Sequence, residues 1–285
     1  MFKTIKFLVK LALSFMKKEV VNKEDYRTEY NKVSRTYGRW LDKMSRFTDE
    51  IVMPLESNQT YKILDFACGT GYITRKLLEK NANVEIAAVD YSENMLEHLR
   101  LLKNDKVSVV HSDGIKFLES ANEKFDVVFF GWALPYFNHK KLFPLFKKVM
   151  KAGGKLGIIC NVEGTLSRLE DIFLKVMYNN QDEIAKPMSI GFNLPAGSAG
   201  LENWLKKYGF EKVKLSDGEV KVSFERAEDL LDWLNETGAA AGTKRIFKEY
   251  EKIREDLIEA IKIEKRVNEK YEINHKFAYG IFKLP

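Results

Sequence analysis

Between about residues 60 and 160, short apolar runs alternate with segments of helical spacing. The runs near 62–66, 84–89, 106–110, 125–130 and 155–160 have strand length, and the segments between them predict helices. Such alternation predicts a parallel, doubly wound α/β sheet that binds ligands at the carboxyl ends of its strands. Asp65, Asp90, Asp113 and Gly131 all fall at those ends, so four separate placements converge on one edge. Upstream, residues 24–56 read as helical and rich in aromatics, with Tyr26, Tyr30, Tyr37, Trp40 and Phe47. Downstream come a helix over Leu166–Tyr178, an irregular stretch with Pro187 and Pro195, and a helix over Ala199–Tyr208. Gly209-Phe210 opens a sixth strand, and Phe277–Lys283 reads as a last one. Between these two strands, a helix over Ala227–Glu236, a break at Thr237–Thr243 and a charged helix to about Tyr271 are expected.

The stretch 2–18 has its own pattern. On a helical wheel Phe2, Ile5, Leu8, Val9, Ala12, Leu13 and Met16 share a broad face, while Lys3, Lys6, Lys10 and Lys17 gather on a narrow strip. The run is too short to span a bilayer and Lys10 interrupts it, so no transmembrane helix is expected, and a secretory signal is a poor match because no small-residue cleavage site follows. Two readings stay open. The helix could lie in a membrane interface with its lysines towards anionic headgroups, or pack on the protein or on a second copy in a homodimer.

With 285 residues, 45% hydrophobic and 12% aromatic, the chain can bury one sizeable core. A net charge of +6 and a pI near 9.0 would suit RNA, an anionic membrane or an acidic substrate. Lysine and glutamate are interspersed along most of the chain, however, which favours a solvated surface over a basic groove. The two cysteines, Cys68 and Cys160, lie in apolar surroundings and no metal-ligand spacing occurs, so a reduced, cytoplasmic protein without a metal is expected.

The chemistry concentrates in Lys62–Thr74, KILDFACGTGYIT. An apolar strand turns through Asp65-Phe66-Ala67-Cys68-Gly69-Thr70-Gly71 into a helix, a geometry that brings backbone N–H groups close to a nucleotide-like ligand. As a dinucleotide fingerprint the turn is imperfect, because Ala67 stands at the first glycine position. The sequence D-x-A-C-G-T-G resembles motif I of class I S-adenosylmethionine-dependent methyltransferases. Four further segments resemble that family in the same order: Val84–Met95, Val107–Gly114, Phe125–Trp132 and Val149–Ile159, the last with Ala152 where proline is usual. The resemblance covers residues 60–160 and is thin outside them. Upstream of it, Tyr30–Ser45 is similar to the segment before motif I in many small-molecule methyltransferases, with a faint similarity to quinone C-methyltransferases.

The resemblance implies a seven-stranded Rossmann-like methyltransferase sheet with N-terminal helices and a helical insertion before the last strand. Residues 1–56 would form amphipathic and capping helices, and 57–285 the methyltransferase domain, with 165–208 and 225–272 shaping the substrate pocket. The implied cofactor is S-adenosyl-L-methionine, leaving as S-adenosyl-L-homocysteine. Asp90 would accept from both ribose hydroxyls, with Ser92 filling the helix-cap role beside it. Asp65 would lie near the amino-acid end, directly or through loop amides. Ala67, Cys68, Gly69 and Gly71 would line the turn. Asp113 and Gly114 would border the adenine, Asp113 having a helix-capping alternative. Tyr91 and Met95 would pack on ribose and adenine, Met95 equally suiting the core. Gly131 would border the cofactor where the acceptor side opens, and there Tyr136, His139 and, from the preceding segment, Tyr37 are candidate catalytic groups; His139 equally suits a solvated helix start, and His275 is a weaker candidate.

The expected reaction is methyl transfer to O, N or C of a small, fairly hydrophobic or lipid-like acceptor by in-line displacement, in the cytoplasm or at a membrane surface. RNA methylation is the alternative within the enzyme class. Amino-methylating enzymes usually carry Asn or Asp, then Pro-Pro and an aromatic, where this chain has Ala133-Leu134-Pro135-Tyr136, and that departure argues against nucleic acid as the partner. A non-catalytic S-adenosylmethionine-binding regulatory or scaffold protein would keep the same loop. A nicotinamide oxidoreductase is opposed by Asp65 and Ala67.

Overall fold

Buried on both faces, the continuous apolar runs become the centre of a parallel sheet. In the computed structural model, residues 2–56, 59–80, 83–188 and 193–285 are described. The chain divides into two compact units, each drawn from three segments.

The first unit comprises Leu41–Thr165, Asn193–Val220 and Lys276–Pro285. Its strands are β1 (Tyr61–Phe66), β2 (Val84–Asp90), β3 (Val107–His111), β4 (Phe125–Gly131) and β5 (Met150–Asn161), together with parts of β6 (Glu211–Phe224) and β8 (Lys270–Lys283). The order is β3-β2-β1-β4-β5-β8-β6. Strands β1 to β5 pair in parallel, and β8 runs antiparallel to β5 from Lys155↔Lys283 to Asn161↔Phe277. The strand order reverses between β1 and β4, which creates a crevice at their carboxyl ends. The seven expected strands are all present, joined by a two-residue β7 (Arg266–Val267) that pairs with the start of β8. Helices α4 (Tyr72–Lys80), α5 (Glu93–Arg100), α6 (Gly114–Ser120), α7 (His139–Val149) and α9 (Gly197–Lys206) belong to this unit. Its core is aromatic: Phe66 meets the Phe146 ring edge-on at 5.1 Å and the Phe130 ring at 5.6 Å.

The second unit comprises Met1–Trp40, Leu166–Phe192 and Lys221–His275. It holds α1 (Phe2–Met16), α2 (Lys23–Val33), α8 (Leu169–Asn179), α10 (Ala227–Thr237) and α11 (Tyr250–Glu264). Asn22 caps α2 in a capping box with Asp25. Leu230, Leu231 and Leu234 of α10 and Leu257, Ile258 and Ile261 of α11 join Ile172 and Phe173 of α8 in one buried cluster. The helix α3 (Gly38–Thr48) starts in this unit and continues into the other.

Two sequence expectations are corrected. Helix α8 starts at Leu169 rather than Leu166, because Leu166 (φ 48°) and Arg168 (φ 62°) adopt left-handed backbone. The charged helix ends at Glu264 rather than near Tyr271, and Lys270 already begins the last strand, seven residues before Phe277. The reason is a tight turn at Asn268, whose φ of 54° folds Arg266–Val267 back on Lys270–Tyr271. The expected break after α10 is present, with Gly238 as a left-handed cap at φ 74°.

Candidate functional site

The turn after β1 takes its shape from three alternate residues in left-handed backbone: Ala67 (φ 55°), Gly69 (φ 55°) and Gly71 (φ 80°). The two glycines serve different needs. A β-carbon at Gly71 would stand 2.1 Å from the Leu99 side chain, so close packing of the turn against α5 demands glycine there. A β-carbon at Gly69 would meet nothing within 4 Å, so Gly69 presents its backbone to open space. The turn is pinned by the Cys68 N–H, which donates to the Val89 carbonyl at 3.0 Å. Burial raises the Cys68 thiol well above its usual range, leaving it un-ionised.

Beneath the turn, Asp65 is buried, and one oxygen accepts from the Thr74 hydroxyl at 2.6 Å and from the Thr74 N–H at 3.1 Å. This ties the end of β1 to the first turns of α4. Thr74 escaped the sequence reading; its only signal is a hydroxyl-bearing residue just inside the helix that follows the turn. Loss of solvation pushes the Asp65 carboxyl up to about 6, against the Thr74 hydrogen bonds and with help from the Asp90 charge. The folded chain therefore holds a proton between about pH 4 and 6 that the unfolded chain has lost. Relative to the charged state, Asp65 favours folding by roughly 3 kcal/mol below about pH 4, an advantage lost as pH rises through about 6. Asp65→Asn keeps an acceptor for Thr74 without the charge. The melting temperature of the variant should gain on that of the parent as pH rises from 4 to 7, and parallel profiles would refute a raised Asp65 pKa.

Asp90 ends β2 with both oxygens engaged: one accepts from the Gly69 N–H at 2.8 Å, the other from the Ser92 N–H at 2.8 Å. Burial raises this carboxyl too, and these two N–H groups oppose the shift. Ser92 caps α5, accepting from the Met95 N–H at 3.4 Å, as expected from its position. Met95 is buried in α5, and Tyr91 is half-buried with its ring 6.4 Å from that of His111. His111 also meets the Tyr91 carbonyl at 3.1 Å and Glu93 at 2.9 Å, contacts with no sequence signature. Asp113 caps α6 by accepting from the Lys116 N–H at 3.0 Å, so the capping alternative is realised. A β-carbon at Gly114 would stand 2.5 Å from the Phe66 ring, and one at Gly131 would stand 3.3 Å from Ile73.

Past β4, Trp132 sits in left-handed backbone (φ 66°), its N–H on the Ile159 carbonyl at 2.7 Å and its indole N–H on the Thr48 hydroxyl at 3.0 Å. Strained non-glycine backbone of this kind concentrates at functional edges. Tyr136 is half-buried in the short turn Leu134–Tyr136. His139 is not a solvated cap: Asn138 caps α7, and the His139 ring is buried and stacked 3.7 Å from that of Trp204. Burial, then Lys140 and Lys207, lower its pKa and keep it neutral. Tyr37 belongs to the helical unit, with Tyr30 at 6.2 Å and Trp40 at 5.6 Å. So does His275, buried between the rings of Trp40 and Trp233 and pushed down to about 4 by burial. Among the described residues no cluster of His, Cys, Asp or Glu could hold a metal ion.

The sheet unit thus gathers Asp65, the turn, Asp90, Tyr91, Met95, Asp113, Gly114 and Gly131 along the carboxyl edge of β1 to β4. Residues 63–154, which span this edge, match a family described as "Methyltransferase domain". The chain carries a class I S-adenosylmethionine-dependent methyltransferase domain. Around this methyltransferase domain the chain is 29% identical over 143 residues to the malonyl-[acyl-carrier protein] O-methyltransferase of Priestia megaterium, covering 48% of this chain and 52% of that protein. It is 32% identical over 142 residues to the demethylmenaquinone methyltransferase of Leptospira interrogans, covering 45% of this chain and 57% of that protein. The chain therefore spans about half the length of these curated relatives. A crystal structure of a methyltransferase from Bacillus halodurans superposes with a TM-score of 0.54 at 16% identity, over 84% of this chain and 98% of that one, a likeness of fold.

Proposed function

We propose that the chain is an S-adenosylmethionine-dependent methyltransferase acting at O, N or C of a small, fairly hydrophobic or lipid-like acceptor. The observation that carries this reading is the Asp90 carboxylate. The N–H groups of Gly69 and Ser92 hold it at the end of β2, and a carboxylate of this kind can accept from both hydroxyls of a vicinal diol. The donor set suits the whole cofactor. Gly69 offers backbone in open space beside the diol site. Asp65, tied to Thr74 under the turn, is assigned to the amino-acid end. Asp113, Tyr91 and Met95 border the adenine and ribose positions.

The cofactor, when bound, supplies a methyl group on a positively charged sulfur that leaves as a neutral thioether. The protein's task is to align the acceptor and exclude water, which can be worth several orders of magnitude in rate. Tyr136 and His139 are the groups proposed to polarise the acceptor, and burial keeps the His139 imidazole in the neutral, proton-accepting form. The two relatives named for malonyl-[acyl-carrier protein] and demethylmenaquinone differ in acceptor, which leaves this one defined by class. The apolar Ala133-Leu134-Pro135 after β4 supports a hydrophobic acceptor over a nucleobase.

Isothermal titration of S-adenosylmethionine and S-adenosylhomocysteine into the full chain, with NAD as control, tests the cofactor. Binding of the two sulfur nucleosides alone is expected, and binding of NAD alone would overturn the reading. Incubation with methyl-labelled cofactor and metabolite and lipid extracts then tests catalysis. Label should appear in an extractable small molecule; binding without any transfer would point to a regulatory protein.

A further inference from the structure

The two sequence readings of residues 2–18 were packing and membrane contact, and α1 divides them between its faces. One face is docked within the helical unit. Phe7 is 6% exposed and meets the Tyr178 ring edge-on at 5.5 Å. The Thr4 hydroxyl lies 3.1 Å from that of Tyr178, the Gln181 amide donates to the Lys3 carbonyl at 3.3 Å, and the Lys10 ammonium donates to the Gln181 carbonyl. These contacts hold the helix against the protein through one stripe.

The opposite stripe is bare. Phe2, Ile5, Val9, Leu13 and Met16 follow helical spacing and are between 47% and 86% exposed, with Leu8 beside them at 57%. More than half of the exposed large apolar side chains among the described residues lie on this one helix. Isolated exposed apolar residues need no explanation, but a continuous stripe does. Lys3 lies over the Tyr178 ring at 5.1 Å on the docked side, whereas the exposed Lys6 and Lys17 run between the bare and the docked stripes, with Lys18 following, and no acid occurs before Glu19.

We propose that the bare face of α1 is a docking surface for a bilayer rich in anionic lipid. The apolar stripe would enter the acyl boundary while the lysine flank meets the headgroups. At 15 residues the helix is about 22 Å long, and no helix among the described residues is long and apolar enough to cross a membrane, so it would lie in the plane. Charge selects the membrane over a second copy of the chain. Pairing two such faces would bring the lysine flanks together with no carboxylate on either helix, whereas an anionic surface neutralises them. No residue of the cofactor site enters the inference, which therefore stands independently of the methyl-transfer reading.

Co-sedimentation of the full chain with vesicles tests it, comparing equal parts phosphatidylcholine and phosphatidylglycerol with phosphatidylcholine alone. Binding to the anionic vesicles only is expected, weakening as salt rises. The doubly exposed variant Val9→Ser/Leu13→Ser should lose at least about tenfold in apparent partitioning. Lys6→Gln and Lys17→Gln should each lose about fivefold. None of these positions is buried, so melting profiles should stay at that of the parent, showing that the variants fold. No binding, equal binding to neutral vesicles, or a dimer in sedimentation equilibrium that Val9→Ser/Leu13→Ser dissolves would each overturn the proposal.

Discussion

Asp90→Ala should raise the dissociation constant for S-adenosylhomocysteine at least about 100-fold, with the chain still folded. The carboxylate lies where a ribose diol would place two charge-assisted hydrogen bonds, each worth about 1.5–3 kcal/mol. Removing it also frees the N–H groups of Gly69 and Ser92, so a modest loss of stability accompanies the loss of affinity. Ser92→Ala separates the two effects. It removes the hydroxyl cap of α5, at a cost of about 1 kcal/mol, and leaves the Asp90 carboxylate in place. Calorimetry on the pair should find the first variant folded and unable to bind, and the second slightly less stable with affinity within a few-fold of the parent. An Asp90→Ala protein that binds within tenfold of the parent would remove Asp90 from the site.

The second large effect is expected to split between two glycines two positions apart. Gly71→Ala would put a β-carbon into Leu99 in backbone that already disfavours side chains, so a loss of roughly 2–4 kcal/mol is expected. Gly69→Ala meets no protein atom, and its strain alone costs about 1 kcal/mol. That new methyl group would instead stand in the space assigned to the ligand and should weaken nucleoside binding by tenfold or more. Thermal melting and titration of both variants check the division: Gly71→Ala should fail chiefly in the first measurement, Gly69→Ala chiefly in the second. The opposite pattern would mean that the ligand lies on another side of the turn.

Much of this edge was legible because parallel, doubly buried strands leave a simple trace: an apolar run that ends abruptly in an acid or a glycine. Asp65, Asp90 and Gly131 stand at such ends, and the turn between β1 and α4 announces itself by its small residues. The pairing of Asp65 with Thr74 was not legible, since nothing in a sequence says which nearby hydroxyl a buried carboxylate will choose. His139 was misjudged as equally a solvated helix start because position predicts a cap but not the Trp204 ring that covers it. The end of α11 was missed for a different reason. Lys, Arg and Glu continue past Glu264 without glycine or proline, and the hairpin rests on Asn268 alone. Local propensity there yielded to pairing with β8.

The place of β8 in the sheet bears on how the chain is made. It lies between β5 and β6, yet it leaves the ribosome after both. When Phe224 has emerged, β6 has no neighbour to join and β5 has one unpaired border. Synthesis from there to Lys270 takes roughly 2–9 s at about 5–20 residues per second, and β8 itself must follow. Throughout that interval the nascent chain carries an apolar strand border open to any extended segment that meets it. The yield of correctly folded protein, as distinct from the stability of the finished fold, therefore depends on how long that lane stays empty.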